Sequence, residues 1–400
     1  MSETLKSERL DVVDALRGFA LMGIAIVHFM EQYVGGPTPQ AHSNYTQHIF
    51  ADGIMEGIVN FLLRGKFFML FSFLFGLSFT LQMDNAAKRG VNFSGRFLWR
   101  LAILFGIGTL HHLFYRGDIL TIFAVIGIPL VAFYRVPNRW VLAVVAALML
   151  GVARFFLPIP DFKNQENIYE QPELPYWAAI KSGSLTDVFY QNATRGKDFK
   201  IEVQVNFFGR AYQTVALFLL GLMAGRTRFF ENLGEKTVAL RRGLYWCLGS
   251  MLGIIAIGAL LFGVFHLDKV NEKAALFVGV GLYDLMNLFQ TGLYIFGFLL
   301  LFEKKAWWRR QILKLAPYGR MALTNYVVQS LIGTTLFFGF GFGLLGEIGS
   351  CATAAIAIVV FIGQRYFSEW WLSRFQFGPL EWFWRSATFL TLQPFRRKTE

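Results

Sequence analysis

Two cysteines in 400 residues, Cys247 and Cys351, both lie in apolar runs. They exclude a disulfide framework and offer no metal-ligand spacing. Charge is scarce as well: Asp, Glu, Lys and Arg make up 16% of the chain, against about 25% in ordinary soluble domains. No polar stretch is long enough to build a core of its own, so one integral membrane domain over residues 1–400 is expected. The opening MSETLKSERL has no cleavable signal pattern. The apolar run after it carries Asp and Arg and is expected to stay as a span. The formal net charge of +12 is dispersed through short loops. That dispersal excludes nucleic acid as a partner and makes the basic residues determinants of membrane orientation.

Apolar residues dominate at 55%, gathered in runs long enough to cross a bilayer. The fold class that follows is all-α, a polytopic transmembrane helical bundle in contact with membrane lipids. About ten spans are expected, at 13–33, 54–82, 97–114, 118–135, 139–157, 205–225, 243–266, 275–302, 318–338 and 351–372. Lys and Arg gather in 83–100, 226–243, 303–320 and the tail, while 34–53 and 339–350 have none. With the basic side inside, the N- and C-termini are both cytoplasmic. The one long external segment, 158–203, carries Pro158, Pro160, Pro172 and Pro175 with Tyr169, Tyr176 and Trp177. It reads either as a lid or as a partly helical segment lying on the headgroups. Residues 373–400 are expected to form a cytoplasmic interfacial helix and tail. There Trp382 and Trp384 suit the interface, and Glu381 and Arg385 stand one helical turn apart.

The first span, RLDVVDALRGFALMGIAIVHF, carries more charge than a membrane helix tolerates cheaply. Each ionisable group there costs about 2.5–3.5 kcal/mol on the lenient insertion scale and is usually kept for a site. Arg17 and His28 are eleven residues apart, close to three turns, so both point the same way about 16 Å apart along the axis. Asp14 lies within about 60° of that direction. Asp11 and Asp14 are read as electrostatic anchors of the helix start. Arg17 and His28 are expected to look onto one hydrated chamber.

Other polar groups extend the candidate site. Arg64, Gly65 and Lys66 interrupt the second span, predicting a helix to about Leu63 and a fresh one from about Lys66. The two cations either snorkel or face an anionic group. In HHLFYRGDIL, His111 and His112 are polar partners for His28 or contacts for an acceptor. Asp118 is read first as the cap of span four. Adjacent histidines diverge by about 100°, so no metal site is expected there. Asp284, Asn287 and Thr291 form a stripe on span eight. Asn325 and Gln329 sit one turn apart on span nine. These groups either glue helices together or line a wet cavity.

RLDVVDALRGFAL, KFFMLFSFLFG, HHLFYRGDIL, GRMALTNYVVQSLI and FGPLEWFWR together resemble the YeiB-like family of bacterial inner-membrane proteins, whose shared domain is the domain of unknown function 418. The resemblance runs over nearly the whole chain. The first helix also resembles the larger superfamily of membrane acyltransferases, which includes bacterial sugar O-acetyltransferases and the lysosomal heparan-α-glucosaminide N-acetyltransferase. Those O-acetyltransferases carry Arg, ten residues, then His on their first span, matched here by Arg17 and His28. Their paired-arginine motif near the start of span three has a differently spaced counterpart in Arg96 and Arg100.

What the resemblance implies is an enzyme of the bacterial inner (plasma) membrane. It would take an acyl group, acetyl first, from acyl-CoA as donor and pass it to a glycan or lipid acceptor, with no metal. His28 would be the base and Arg17 its partner or a stabiliser of developing charge. Arg96 and Arg100 would attract the donor phosphates. Beyond what the resemblance implies, Asp14, Arg64, Lys66, His111, His112, Asp118, Asp284, Asn287, Asn325 and Gln329 are, as polar residues of the spans and their turns, the candidates for substrate contact. The alternative is a transporter or lipid-handling protein without covalent chemistry, and a homo-oligomer is left open.

Overall fold

The computed structural model describes residues 2–33, 49–157, 174–206 and 209–397. Expectations for 34–48, for 158–173 with Pro158, Pro160, Tyr169 and Pro172, and for 398–400 lie outside the described residues. Among the described residues the chain is all-helical, and Phe375 and Arg396 form an isolated β-bridge.

Among the described residues, six helices are long and apolar enough to cross a membrane: Asp11–Glu31, Phe50–Ala87, Ser94–Phe114, Leu233–Val264, Glu272–Lys304 and Ser350–Arg374. In chain order the helices begin with α1 (Ser2–Val27), which continues as a wider π turn, His28–Tyr33. Then come α2 (Phe50–Ile58), α3 (Lys66–Ala87), α4 (Ser94–Phe114), α5 (Leu120–Ile126), α6 (Pro129–Phe133) and α7 (Asn138–Met149). Three short helices follow: α8 (Leu174–Ser182), α9 (Leu185–Gln191) and α10 (Lys197–Val205). After α11 (Ala211–Arg226), α12 (Thr237–Gly258) and α13 (Leu267–Val270) comes the longest, α14 (Glu272–Lys304). The chain ends with α15 (Ala306–Leu313), α16 (Ala316–Arg320), α17 (Ala322–Phe337), α18 (Ser350–Arg374) and α19 (Pro379–Phe389). The remaining expected spans correspond to shorter pieces: α5 with α6, α7, α11 and α17. At 16 residues each, α11 and α17 are about 24 Å long, short of the ~30 Å hydrocarbon layer.

The interruption in span two falls at Arg64 and Gly65. A π turn, Val59–Leu63, ends α2, Gly65 takes φ +82°, and α3 starts at Lys66. That φ favours glycine because it has no Cβ to clash.

Two glycine pairs set how closely the helices approach. A Cβ on Gly76 would meet the Phe218 backbone, and one on Gly221 would meet the Phe73 backbone, so α3 and α11 touch main chain to main chain. Gly18 and Gly319 do the same for α1 and α16. Phe75, Phe123 and Phe218 fill the space beside the first crossing, with Phe75 and Phe218 stacked at 4.6 Å. By contrast, α12 packs on α14 and leaves Tyr245, Trp246, Leu252 and Ile255 exposed, a surface suited to acyl chains.

The segment after residue 173 is partly helical. Rather than lying loose, it drives Tyr176, Trp177, Ile180 and Val188 into a cluster with Phe29, Tyr115 and Phe337. This closes the end of the bundle farthest from the start of α1. Arg116 supports it, its guanidinium 3.9 Å from the Tyr176 ring centre and 4.2 Å from that of Phe199.

Candidate functional site

A cavity of about 290 Å³ lies at the end of the bundle that holds the start of α1. Arg17, Arg100, Arg320 and Arg385 line it, with Glu381, Ser78 and Gln82. Its walls are aromatic, from Phe71, Phe75, Phe79, Phe97 and Phe123, and Tyr326 is also in its lining. An arginine-rich, apolar-walled space of this kind suits an anionic group attached to an apolar chain.

Arg17, Arg100, Glu381 and Arg385 are each held from their own helix or a neighbour. Arg17 donates to Asp14 at 2.5 Å and to the Ser78 hydroxyl at 2.9 Å, which turns its guanidinium from α1 toward α3. Arg100 lies 3.6 Å from the centre of the Trp384 ring, and Trp384 Nε1 donates to the Arg100 carbonyl at 2.8 Å. Glu381 accepts from the Leu323 and Thr324 amides at 2.7 and 3.0 Å and from the Thr324 hydroxyl at 2.6 Å. It therefore caps α17, whose own N-cap residue, Met321, has no side-chain acceptor. Burial pushes the Glu381 carboxyl above its usual range, against the pull of the Thr324 and Leu323 donors. Among the described residues the expected pairing of Glu381 with Arg385 is not made. Arg385 lies over the Phe377 and Phe389 rings instead.

The expectation that Arg17 and His28 share one chamber is corrected. Arg17 lines the cavity and His28 does not. Three helical turns place the two at different depths. At His28 the helix also widens into its π turn, and the ring, 6% exposed, is taken up by aromatic neighbours. Those neighbours are Tyr115 at 5.5 Å and Tyr326 at 5.9 Å between ring centres. His111 packs on the same two rings, at 5.7 and 5.2 Å. Tyr326 thus joins the cavity wall to a quartet of two imidazoles and two phenols.

His111 and His112 diverge as adjacent helical residues must. His111 Nδ1 meets Asp118 at 2.9 Å, and His112 Nε2 meets the Asn192 carbonyl at 3.0 Å. Asp118 also accepts the Leu120 and Thr121 amides, both at 3.1 Å, so it does cap the next helix. Lys200 of α10 reaches Asp118 at 3.3 Å. Arg96 is exposed over the Phe389 ring and stays outside the cavity. Four residues on, one turn or about 6 Å farther along α4, Arg100 enters it.

The other candidates are dispersed. Arg64 pairs with Glu31 at 2.6 Å, and Lys66 is buried, donating to the Asn60 carbonyl at 3.0 Å. Asp284 joins Arg154 and Tyr212 in a buried network. Asn287 lies against Gly65, while Thr291 bridges the Asn287 and Lys66 carbonyls. Asn325 binds the Tyr318 carbonyl and the Ser368 hydroxyl, tying α17 to α16 and α18. Gln329 receives the Tyr318 hydroxyl at 3.4 Å. None of these residues lines the cavity.

The comparisons with known proteins agree on family. The family model for DUF418, a protein of unknown function, matches residues 224–391, which include Arg320, Tyr326, Glu381 and Arg385 of the cavity. YxaH of Bacillus subtilis is 30% identical over the whole of this chain and 99% of its own length. A 39.9 kDa protein of Bacillus acidopullulyticus is 28% identical over 98% of this chain and 97% of its own. YeiB of Escherichia coli is 25% identical over 98% of this chain and 99% of its own. All three are described as uncharacterized, and no solved structure matches. Full-length similarity to YxaH, together with the family match over the carboxy-terminal helices, makes this chain a member of the DUF418 family.

Proposed function

We propose that the protein is a membrane-bound acyltransferase, moving an acyl group, acetyl in the simplest case, from acyl-CoA to a glycan or lipid acceptor. One observation carries the reading. Four arginines line a single aromatic-walled cavity, and its Tyr326 wall carries the His28 and His111 imidazoles on its other contacts. The guanidinium groups suit the phosphates of a CoA donor. About 290 Å³ is at the low end for small-molecule sites. That is room for the acyl thioester and part of its arm, with the nucleotide left at the mouth. An imidazole is a side chain suited to taking a proton from the acceptor.

In this reading the shorter apolar helices also cross, giving about ten spans in the bacterial inner membrane. The arginine end and both termini face the cytoplasm, where acyl-CoA is found. The basic loops support that orientation.

The test is turnover of acetyl-CoA by the purified protein in proteoliposomes, with water, a bacterial lipid extract and soluble glycans as acceptors. Release of free thiol that falls at least ~10-fold in Arg100→Ala supports the reading. No release from the wild type with any acceptor removes it.

A second reading, transport without covalent chemistry, is favoured by the break at Gly65 beside Asn287 and Thr291. Interrupted helices mark binding sites in many transporters. Solute uptake that persists in Arg100→Ala and is lost in Asn287→Ala would select it.

A further inference from the structure

Asp118 is fully buried and receives four donors, with His111 Nδ1 also 2.9 Å away. The donors are the Leu120 and Thr121 amides at 3.1 Å, the Thr121 hydroxyl at 2.8 Å and Lys200 Nζ at 3.3 Å. A carboxyl group that only accepts is ionised. The proton shared with His111 must then sit on Nδ1, and in the neutral ring this leaves the lone pair on Nε2. That Nε2 is buried and has no hydrogen-bond partner among the described residues. Capping of α5 accounts for the bonds to Leu120 and Thr121. It does not account for a buried imidazole nitrogen held in one tautomer and left unused.

A base whose far nitrogen is fixed by a buried carboxylate, with its near nitrogen unpartnered, is the arrangement that hydrolases and transferases on unrelated folds use to activate a hydroxyl. His111 stands one side chain behind the cavity, 5.2 Å from the Tyr326 ring. On its other side Lys200, 12% exposed, covers Asp118. We infer that His111, oriented by Asp118, is the general base of the acyl transfer proposed above, so this inference rests on that reading. The acceptor hydroxyl gives its proton to His111 Nε2. Its oxygen bonds to the thioester carbonyl carbon, and the carbon–sulfur bond breaks. The proton passes from Nε2 to the departing thiolate, so thiol and ester leave and Asp118 stays ionised throughout. His28, packed on the same two phenols, positions the rings and is not the base.

The experiment compares wild type, His111→Gln, Asp118→Asn and His28→Ala as full-length proteins in proteoliposomes, using acetyl-CoA with water and bacterial lipid extract as acceptors. Asn caps a helix about as well as Asp, so Asp118→Asn keeps the cap while removing the charge that faces His111 and Lys200. The expected result is a kcat lower by about 100-fold or more in His111→Gln and Asp118→Asn, with KM for acetyl-CoA within ~2-fold. His28→Ala retains at least ~10% of wild-type kcat. The acid limb of the pH–rate profile in Asp118→Asn differs from that of wild type, because the ring loses the carboxylate that faces it. His28, Tyr115, Tyr326 and Lys200 also surround the dyad, so the shift is read as a difference from wild type. Should His111→Gln fail to fold, Asp118→Asn decides alone. An active wild type whose Asp118→Asn variant keeps its kcat and its acid limb overturns this inference and leaves acyl transfer standing. So does loss of activity in His28→Ala with His111→Gln unaffected. A wild type without turnover overturns both.

Discussion

Arg100 and Trp384 hold each other twice. The guanidinium lies 3.6 Å from the indole ring centre, and the indole N–H returns to the Arg100 carbonyl at 2.8 Å. α4 and α19, distant in sequence, are thereby locked together in the wall of the cavity. A cation over an indole contributes about 0.5–2 kcal/mol, and lysine cannot reproduce its planar stacking. Arg100→Lys is therefore expected to weaken acetyl-CoA binding by about 5- to 30-fold with little change in kcat, whereas Arg96→Ala, outside the cavity, leaves both parameters within ~2-fold. Steady-state kinetics or donor titration by calorimetry checks the contrast. Equal effects of the two variants would place the donor on the α4 surface instead.

The crossing of α3 and α11 predicts a different failure. A methyl group on Gly76 or Gly221 would collide with main chain, which cannot rotate away as a side chain can. Overpacking of a tight contact costs about 1–3 kcal/mol, and small residues are what let membrane helices approach this closely. Gly76→Ala and Gly221→Ala are each expected to lower the unfolding midpoint in detergent by several degrees. Gly249→Ala, on α12 with open space around it, leaves the midpoint unchanged. A midpoint unmoved in both crossing variants would mean that the helices stand farther apart.

Local rules read from the sequence located what depends on one helix alone. The break at Gly65 was legible because a glycine lies between two cations in an apolar run, and the cap at Asp118 because it precedes one. Helical periodicity put Arg17 and His28 on one side of α1. It could not say that 16 Å of rise puts one in a cavity and the other among phenols. Arg320, Tyr326 and Arg385 come from remote elements, and nothing local marks them as sharing a wall with Arg17. Likewise His111 and Lys200 meet at Asp118 only because α10 folds back over the end of α4. The paired spacing of Glu381 and Arg385 misled, since an unprovided helix start on α17 competes more strongly for the carboxylate than a surface arginine does.

Glu381 makes a pH prediction. Burial raises its carboxyl above the ordinary 4.5, so the fold takes up its proton more readily than the unfolded chain does. The associated stabilisation is fully present below about pH 4.5 and is lost as pH rises through the shifted value. Glu381→Gln keeps an acceptor for the Leu323 and Thr324 amides and is expected to flatten that slope with little change in acid. Glu381→Ala removes the cap and costs about 0.5–2 kcal/mol at every pH. Unfolding midpoints between pH 4 and 8 separate the two. A slope in Glu381→Gln identical to wild type would assign the pH dependence to another group.

The buried network of Arg154, Asp284 and Tyr212 separates structure from transport. Both charged groups are withdrawn from water, and Tyr212 donates to Asp284 at 2.9 Å. Removing one charge leaves the other buried without its counter-ion, at a cost of about 3–5 kcal/mol, whereas replacing the pair by apolar groups is often close to neutral. Asp284→Leu alone is thus expected to give a protein that aggregates on extraction. Combined with Arg154→Met and Tyr212→Phe, it should recover most of the wild-type unfolding midpoint. The network does not line the arginine cavity, so the recovered triple variant is expected to turn over acetyl-CoA within ~3-fold of wild type. A triple variant that is stable yet inactive would put these residues in the working path and favour a translocated substrate over a transferred acyl group.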